Sequence, residues 1–225
     1  MKMMKKLAAL LLVLVSLCAA ACAEELPEVG SIVVFGSYEQ DNDLTNGMEP
    51  IEWIVLDRNE ETNQAFLISR LCLDNKIYYH LRVSRYWANS TLREWMNGEF
   101  FQTIFTPEEQ QRVATATVDH HDPHGRRGAN ADTQDKLYLL SREEVLHYMP
   151  TEQDRLAWPT EYAKSKEITV DKKTGACRWW LRTPGSRECD ICGVRVNGRV
   201  SAYGMQDVDW KTNTIRPVMW LNYGE

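Results

Sequence analysis

The sequence predicts an α+β fold, a single domain with antiparallel strands at both ends and short helices between them. Three observations predict it. Runs rich in Val, Ile and aromatic residues, bounded by polar Gly- or Asn-containing stretches, fill the opening of the domain and its final quarter. Capped helix starts lie between them, at Ser90, Thr106 and Ser141. Near the end Asn197-Gly198 separates two alternating runs, a strong hairpin signal because both central residues of that turn need positive φ. Strands and helices that cluster along the chain instead of alternating mark the α+β class.

Taken in order, strands are predicted over 31–35, 51–56 and 65–69, with Pro50 at a strand entrance where its missing amide does least harm. Ser90 or Thr91 caps a helix carrying Leu92, Trp95 and Met96 on one side, and Gly98 is placed to end it. Thr106, Pro107 and Glu109 give cap, first position and reciprocal capping acid of a second helix. A strand over 113–118 follows, and then periodicity disappears in a polar loop over 119–134. A strand over 136–140 leads to a capping box at Ser141 and Glu144, opening a helix to about Met149 that Pro150 stops. Thr160 starts one more short helix, through Ala163. The last strands are expected over 178–182, 194–196, 199–203 and 215–221.

Residues 1–23 have the three parts of a cleaved signal peptide. Lys2, Lys5 and Lys6 precede an apolar run over 7–17, and Ala21-Cys22-Ala23 matches the A-x-A cleavage pattern ahead of Glu24. The expectation is a domain over 24–225 secreted from the cytoplasm. An alternative is lipid attachment at Cys22, which would hold the domain at a membrane surface, although an aliphatic residue is expected three positions before it. No other apolar stretch is long enough to cross a bilayer. Losing three lysines with the leader takes the formal charge from −6 to −9, a balance that repels nucleic acid and anionic lipid.

Four cysteines remain beyond the leader: Cys72, Cys177, Cys189 and Cys192. In an oxidising compartment they are expected to form structural disulfides, in one of three pairings that sequence does not separate. Cys189 and Cys192 also form a C-x-x-C, but that redox motif works at a helix start, and here strand-like Gly193-Val194-Arg195-Val196 follows.

Four ordered blocks carry a family resemblance: Trp87 through Phe101 with its Ser90-Thr91-Leu92-Arg93 core, Asp135-Lys136-Leu137-Tyr138-Leu139-Leu140-Ser141, Trp179-Trp180-Leu181-Arg182-Thr183-Pro184-Gly185, and Arg216-Pro217-Val218-Met219-Trp220-Leu221. In this order they resemble the bacterial domain-of-unknown-function family 6273, from Gly30 to Leu221. The family name implies no activity. The Trp-Trp strand, hairpin and closing strand are also similar to the last half of C-type-lectin-like folds. That group includes carbohydrate-binding modules and formylglycine-generating oxidases, and fold analogy does not choose among them.

Side chains alternate along a strand, so Trp179 and Leu181 are expected in the core and Trp180 with Arg182 on the opposite face. There an indole and a guanidinium could stack on a sugar or hold an anion, with Tyr203 and Arg216 nearby. The structural alternative packs Trp180 under the 183–190 loop, pairs Arg182 internally, and has Arg216 tie down a neighbouring loop. Asp119-His120-His121-Asp122-Pro123-His124 has metal-ligand chemistry, but Pro123 and the following glycines disfavour the helix that would gather its imidazoles. Asn130, Asp132 and Asp135 offer oxygens at alternating positions as weak calcium candidates. No other cofactor is implied. No nucleophile elbow, H-E-x-x-H, P-loop or dinucleotide turn is present, so no catalytic residue is assigned. The expectation is a non-catalytic binding module for a glycan or cell-envelope component. The alternatives are an oxidase using a cysteine pair, or a structural envelope component.

Overall fold

Strands β1 (Ile32–Tyr38), β2 (Glu49–Asn59) and β3 (Gln64–Ser69) form an antiparallel meander, in line with the sequence. The coordinates are a computed structural model that describes residues 24–83, 86–119, 122–124, 132–201, 204 and 206–224. The leader with Cys22, Asn130 and Tyr203 lie outside the described residues. In β2 the buried Ile51, Trp53 and Val55 alternate with more exposed neighbours, the period-two signature of a strand with one face on the core. Beyond Gln64, β3 is buried throughout: it lies between β2 and β11 (Val218–Asn222), and its Phe66 is covered by Tyr138 and Tyr148.

A bulge in β1 falls between Val34 and Ser37, at Gly36, where φ is +70°. A Cβ at Gly36 would lie 2.6 Å from the Ile104 carbonyl and from the Phe105 ring. Only glycine lets the bulged strand approach this helix end so closely.

A second sheet has the order β4 (Asp74–Asn75), β10 (Thr214–Ile215), β7 (Trp179–Pro184), β8 (Asp190–Val194) and β9 (Gln206–Asp207). Its pairings are antiparallel except β10 with β7. A two-stranded ribbon joins β5 (Ala116–Val118) to β6 (Thr133–Asp135).

Helices α1 (Thr91–Trp95), α2 (Phe101–Ile104), α3 (Pro107–Arg112), α4 (Arg142–Tyr148) and α5 (Glu161–Lys164) begin where the cap chemistry places them, with α2 as the exception. Thr106 and Ser141 form full capping boxes with Glu109 and Glu144. Ser90 and Thr160 accept from the Arg93 and Ala163 amides.

Four sequence expectations are corrected. Gly98 does not end its helix: a widened π turn over Met96–Phe100 carries α1 into α2, because Phe100, Phe101 and Ile104 still have to be buried. The 136–140 segment is not a strand. Asn97 Oδ1 takes the Lys136 and Leu137 amides, leaving Tyr138 to make a single bridge to Val218, while the strand lies just before it, at 133–135. The Asn197-Gly198 turn forms, with Gly198 at φ +79°, but its second arm makes only the Val194 to Val200 bridge among the described residues. The predicted strand over 215–221 is two strands, because Pro217 lacks an amide and the chain changes sheets there.

The core is built around indoles. Trp53, Trp87, Trp179 and Trp180 are fully buried, and each indole N–H has an acceptor: the Phe35 carbonyl at 2.7 Å, Asp135 at 2.7 Å, the Arg155 carbonyl at 3.2 Å and the Lys76 carbonyl at 3.0 Å. Burial of this kind makes truncation of any one to alanine worth about 3–5 kcal/mol. No helix among the described residues is long and apolar enough to cross a membrane.

Candidate functional site

Every residue of β7 is buried. Trp179 and Leu181 lie in the core as expected, and Trp180 and Arg182 are covered as well. Trp180 is covered by the 76–78 segment: its N–H reaches the Lys76 carbonyl, and its ring meets Tyr78 edge-on at 5.8 Å. Trp180 therefore presents no face to a ligand, which corrects the expected exposed aromatic platform.

Arg182 is held internally. Its guanidinium forms a two-pronged pair with Glu144, donates to the Leu139 carbonyl at 2.9 Å and to the Asp119 carbonyl at 3.2 Å. Glu144 is positioned by α4, whose capping box spends one of its oxygens on the Ser141 amide. A 220 Å³ pocket opens beside the pair, lined by Asp119, Ser141, Glu143, Thr183 and Pro184. Its guanidinium is already neutralised, so it offers a ligand little free positive charge.

Arg216 ties down its surroundings, as the structural alternative has it. It donates to the Ser69 carbonyl at 2.9 Å and lies over the Trp179 ring at 5.2 Å. Burial pushes its guanidinium below the usual value, and the nearby Cys72 and Cys177 thiols oppose that shift.

Of the calcium candidates, Asn130 lies outside the described residues, and Asp132 and Asp135 have different surroundings. Asp135 is buried and fully used, accepting from the Trp87 indole at 2.7 Å, the Thr133 hydroxyl at 2.6 Å and Arg93 at 2.7 Å. Asp132 is exposed. In the histidine-rich run, Asp122 accepts from the His124 amide at 2.9 Å, and His120 and His121 lie outside the described residues.

All four cysteines are free thiols in the structure. Cys189 and Cys192 go to different partners, Asp207 at 3.2 Å and the Pro184 carbonyl at 3.7 Å. Cys72 and Cys177 sit together: their amides donate to the consecutive carbonyls of Trp158 and Ala157, and Cys177 Sγ is 3.5 Å from the Thr214 hydroxyl. Burial pushes both thiols up, and Cys177 lies well above the usual thiol range. For Cys72 the contact with Cys177 and the Arg216 charge outweigh burial and bring it below. Cys189, Asp190 and Asp207 form a potential ligand trio, but Arg82 and Arg187 already neutralise it, at 2.7 Å to Asp207 and 2.7 Å to Asp190.

The open surface lies elsewhere. A 550 Å³ groove is lined by Glu52, Ile54, Arg70, Leu71, Gln153, Asp154, Leu156, Trp158 and Arg216. At Glu52 and Leu71 it meets a 460 Å³ depression that runs to Gln40 and Glu49. Trp158 is 42% exposed, and its N–H is fixed on the Thr174 carbonyl at 2.9 Å, so the ring is held in place while its face meets solvent. Arg70 pairs with Glu52 at 2.5 Å on one wall of the groove, where the Arg70 amide also donates to the Glu52 carbonyl at 2.8 Å. Sequence reasoning passed over these residues. The available signal was an indole set in the polar 151–164 stretch, with Pro159 fixing the chain after it.

The model of the family described as Domain of unknown function (DUF6273) matches residues 62–223, and the chain belongs to that family. No curated protein and no solved structure matches.

Proposed function

We propose that this member of the DUF6273 family is an exported, non-catalytic binding module whose ligand, a glycan or another cell-envelope polymer, lies in the groove beside Trp158. The observation that carries this reading is the fixed, solvent-facing indole of Trp158 in a groove that also displays Arg70, Glu52, Gln153 and Asp154. An aromatic face supplies stacking area at little entropic cost, and a few flanking polar groups orient hydroxyls. Export is supported by the charged, apolar and small-residue segments of 1–23, and lipid attachment at Cys22 is the variant in which the module stays membrane-bound.

The oxidase alternative finds its two close thiols in Cys72 and Cys177, but both are sealed in the core, which favours the binding reading. A glycan array and a peptidoglycan pull-down test the proposal. Binding should be found and should fall about tenfold in Trp158→Ala, the loss expected when one stacking aromatic is removed. Binding that is unchanged in Trp158→Ala moves the site away from the groove, and no binding in either assay ends the reading.

A further inference from the structure

The loop between β1 and β2 gathers three carboxylates. Single oxygens of Glu39, Asp41 and Glu49 lie within 4.8 Å of one another. Among the described residues no arginine, lysine or histidine forms an ion pair with any of them, in contrast to the Cys189, Asp190 and Asp207 trio. Glu39 is 8% exposed; its carboxyl group meets the Asn42 amide and Asp41, while its Oε1 is sealed from solvent without a hydrogen-bond donor. A buried carboxylate oxygen with no partner, beside two further carboxylates, is costly unless something positive meets it.

The other two acids are aimed by the backbone. Glu49 Oε2 accepts from the Gln40 amide at 2.6 Å and the Asp41 amide at 3.2 Å. Asp41 accepts from the Asp43 amide at 2.8 Å and from Asn46 at 2.7 Å. Each carboxylate oxygen has two lone pairs, so these bonds orient the groups and leave coordination capacity.

We propose that Glu39, Asp41 and Glu49 bind a divalent cation, calcium by the chemistry of the donors. An all-oxygen, carboxylate-rich set suits a hard cation. Three carboxylates with Asp41 open to solvent, where water can complete a larger coordination shell, suit calcium better than the small, rigidly octahedral magnesium. The bound ion neutralises the buried Glu39 and fixes the loop at the Gln40 and Glu49 end of the surface depression. This inference does not depend on what, if anything, binds beside Trp158.

The test is calorimetric titration of the chelator-treated full chain with calcium chloride, with thermal melts recorded alongside. One equivalent of calcium should bind, and the melting temperature should climb with calcium concentration. Glu39→Gln should weaken binding about tenfold or more, since affinity follows the charge count of the ligands. Without calcium this variant should melt no lower than the parent, because it relieves the crowding of charge. Asp41→Asn, at an exposed position, serves as the second variant should Glu39→Gln fail to fold. No heat and no thermal shift up to about 10 mM calcium, beyond the range of weak extracellular sites, overturns the proposal. Parent-like binding in the folded variants overturns it too, and tighter binding of magnesium overturns the assignment to calcium.

Discussion

Replacing Arg182 by methionine keeps the aliphatic stem that fills its place in β7 and removes the guanidinium. What is lost is specific: the Leu139 and Asp119 carbonyls each lose a charged donor, and Glu144 loses its two-pronged partner. Breaking a buried ion pair from one side costs about 3–5 kcal/mol, because the remaining charge stays uncompensated. Here the Glu144 side chain is 31% exposed and water recovers part of that cost, which places Arg182→Met near the lower bound, about 3 kcal/mol. Against a typical domain stability of about 5–15 kcal/mol this is a large fraction. The assay is chemical denaturation followed by tryptophan fluorescence and circular dichroism, completed as a double-mutant cycle with Glu144→Gln. The cycle should return a coupling of about 1–2 kcal/mol, because the second substitution removes a charge already stranded. A loss below about 0.5 kcal/mol for Arg182→Met, the scale of ordinary surface changes, would refute the reasoning, as would strict additivity. Either result would mean that the guanidinium is solvated and available to a ligand after all.

Gly36→Ala should destabilise by about 2 kcal/mol or more, combining a left-handed backbone with a 2.6 Å approach to the Ile104 carbonyl; an unchanged denaturation midpoint would argue against the bulge. Stability should decline between pH 9 and 11. Burial raises the Cys192 thiol from its ordinary 9.0 to about 11, so in that window unfolding releases a proton and stability drops by about 1.4 kcal/mol per pH unit, whereas below pH 9 the contribution is whole. Cys192→Ala should flatten that part of the profile, measured by urea midpoints at each pH. When the reduced, denatured chain is refolded in oxidised glutathione, Cys72 and Cys177 should form the first disulfide before the core closes over them, two thiols giving one bridge as the glutathione disulfide is reduced to two thiols. Non-reducing peptide mapping that links Cys189 to Cys192 instead would contradict the geometry.

What could be read in the sequence was local chemistry. The Thr106 and Ser141 capping boxes, the alternation around Trp53 and the Asn197-Gly198 turn are decided within a few residues, and each is found in place. The misreadings are positions decided by distant partners. Lys136 and Leu137 have strand-like neighbours, yet their amides are claimed by Asn97, about forty residues earlier in the chain. The sequence put Trp180 and Arg182 on one face of a strand, and it could not show that Lys76 and Glu144 would cover that face from two other elements. Asp135 read as a spare oxygen donor, whereas Trp87 and Arg93 occupy it. Glu39, Asp41 and Glu49 drew no notice because their proximity requires the β1 and β2 register, which pairs Tyr38 with Glu49.

The stretch 214–222 enters one sheet as β10 and the other as β11, with Arg216 and Pro217 between them. Gln64 and Asn222, hydrogen-bonded at one end of this pairing, are 158 positions apart in the chain. Closing a loop of that size precedes any energetic return, so the rate of folding should be governed by the arrival of this one segment. Until it arrives, β3 and β4 both present bare edges, the state in which a chain is open to pairing with a copy of itself. A synthetic 214–222 peptide added in trans would then slow refolding by occupying those edges, with the full-length chain as its competitor.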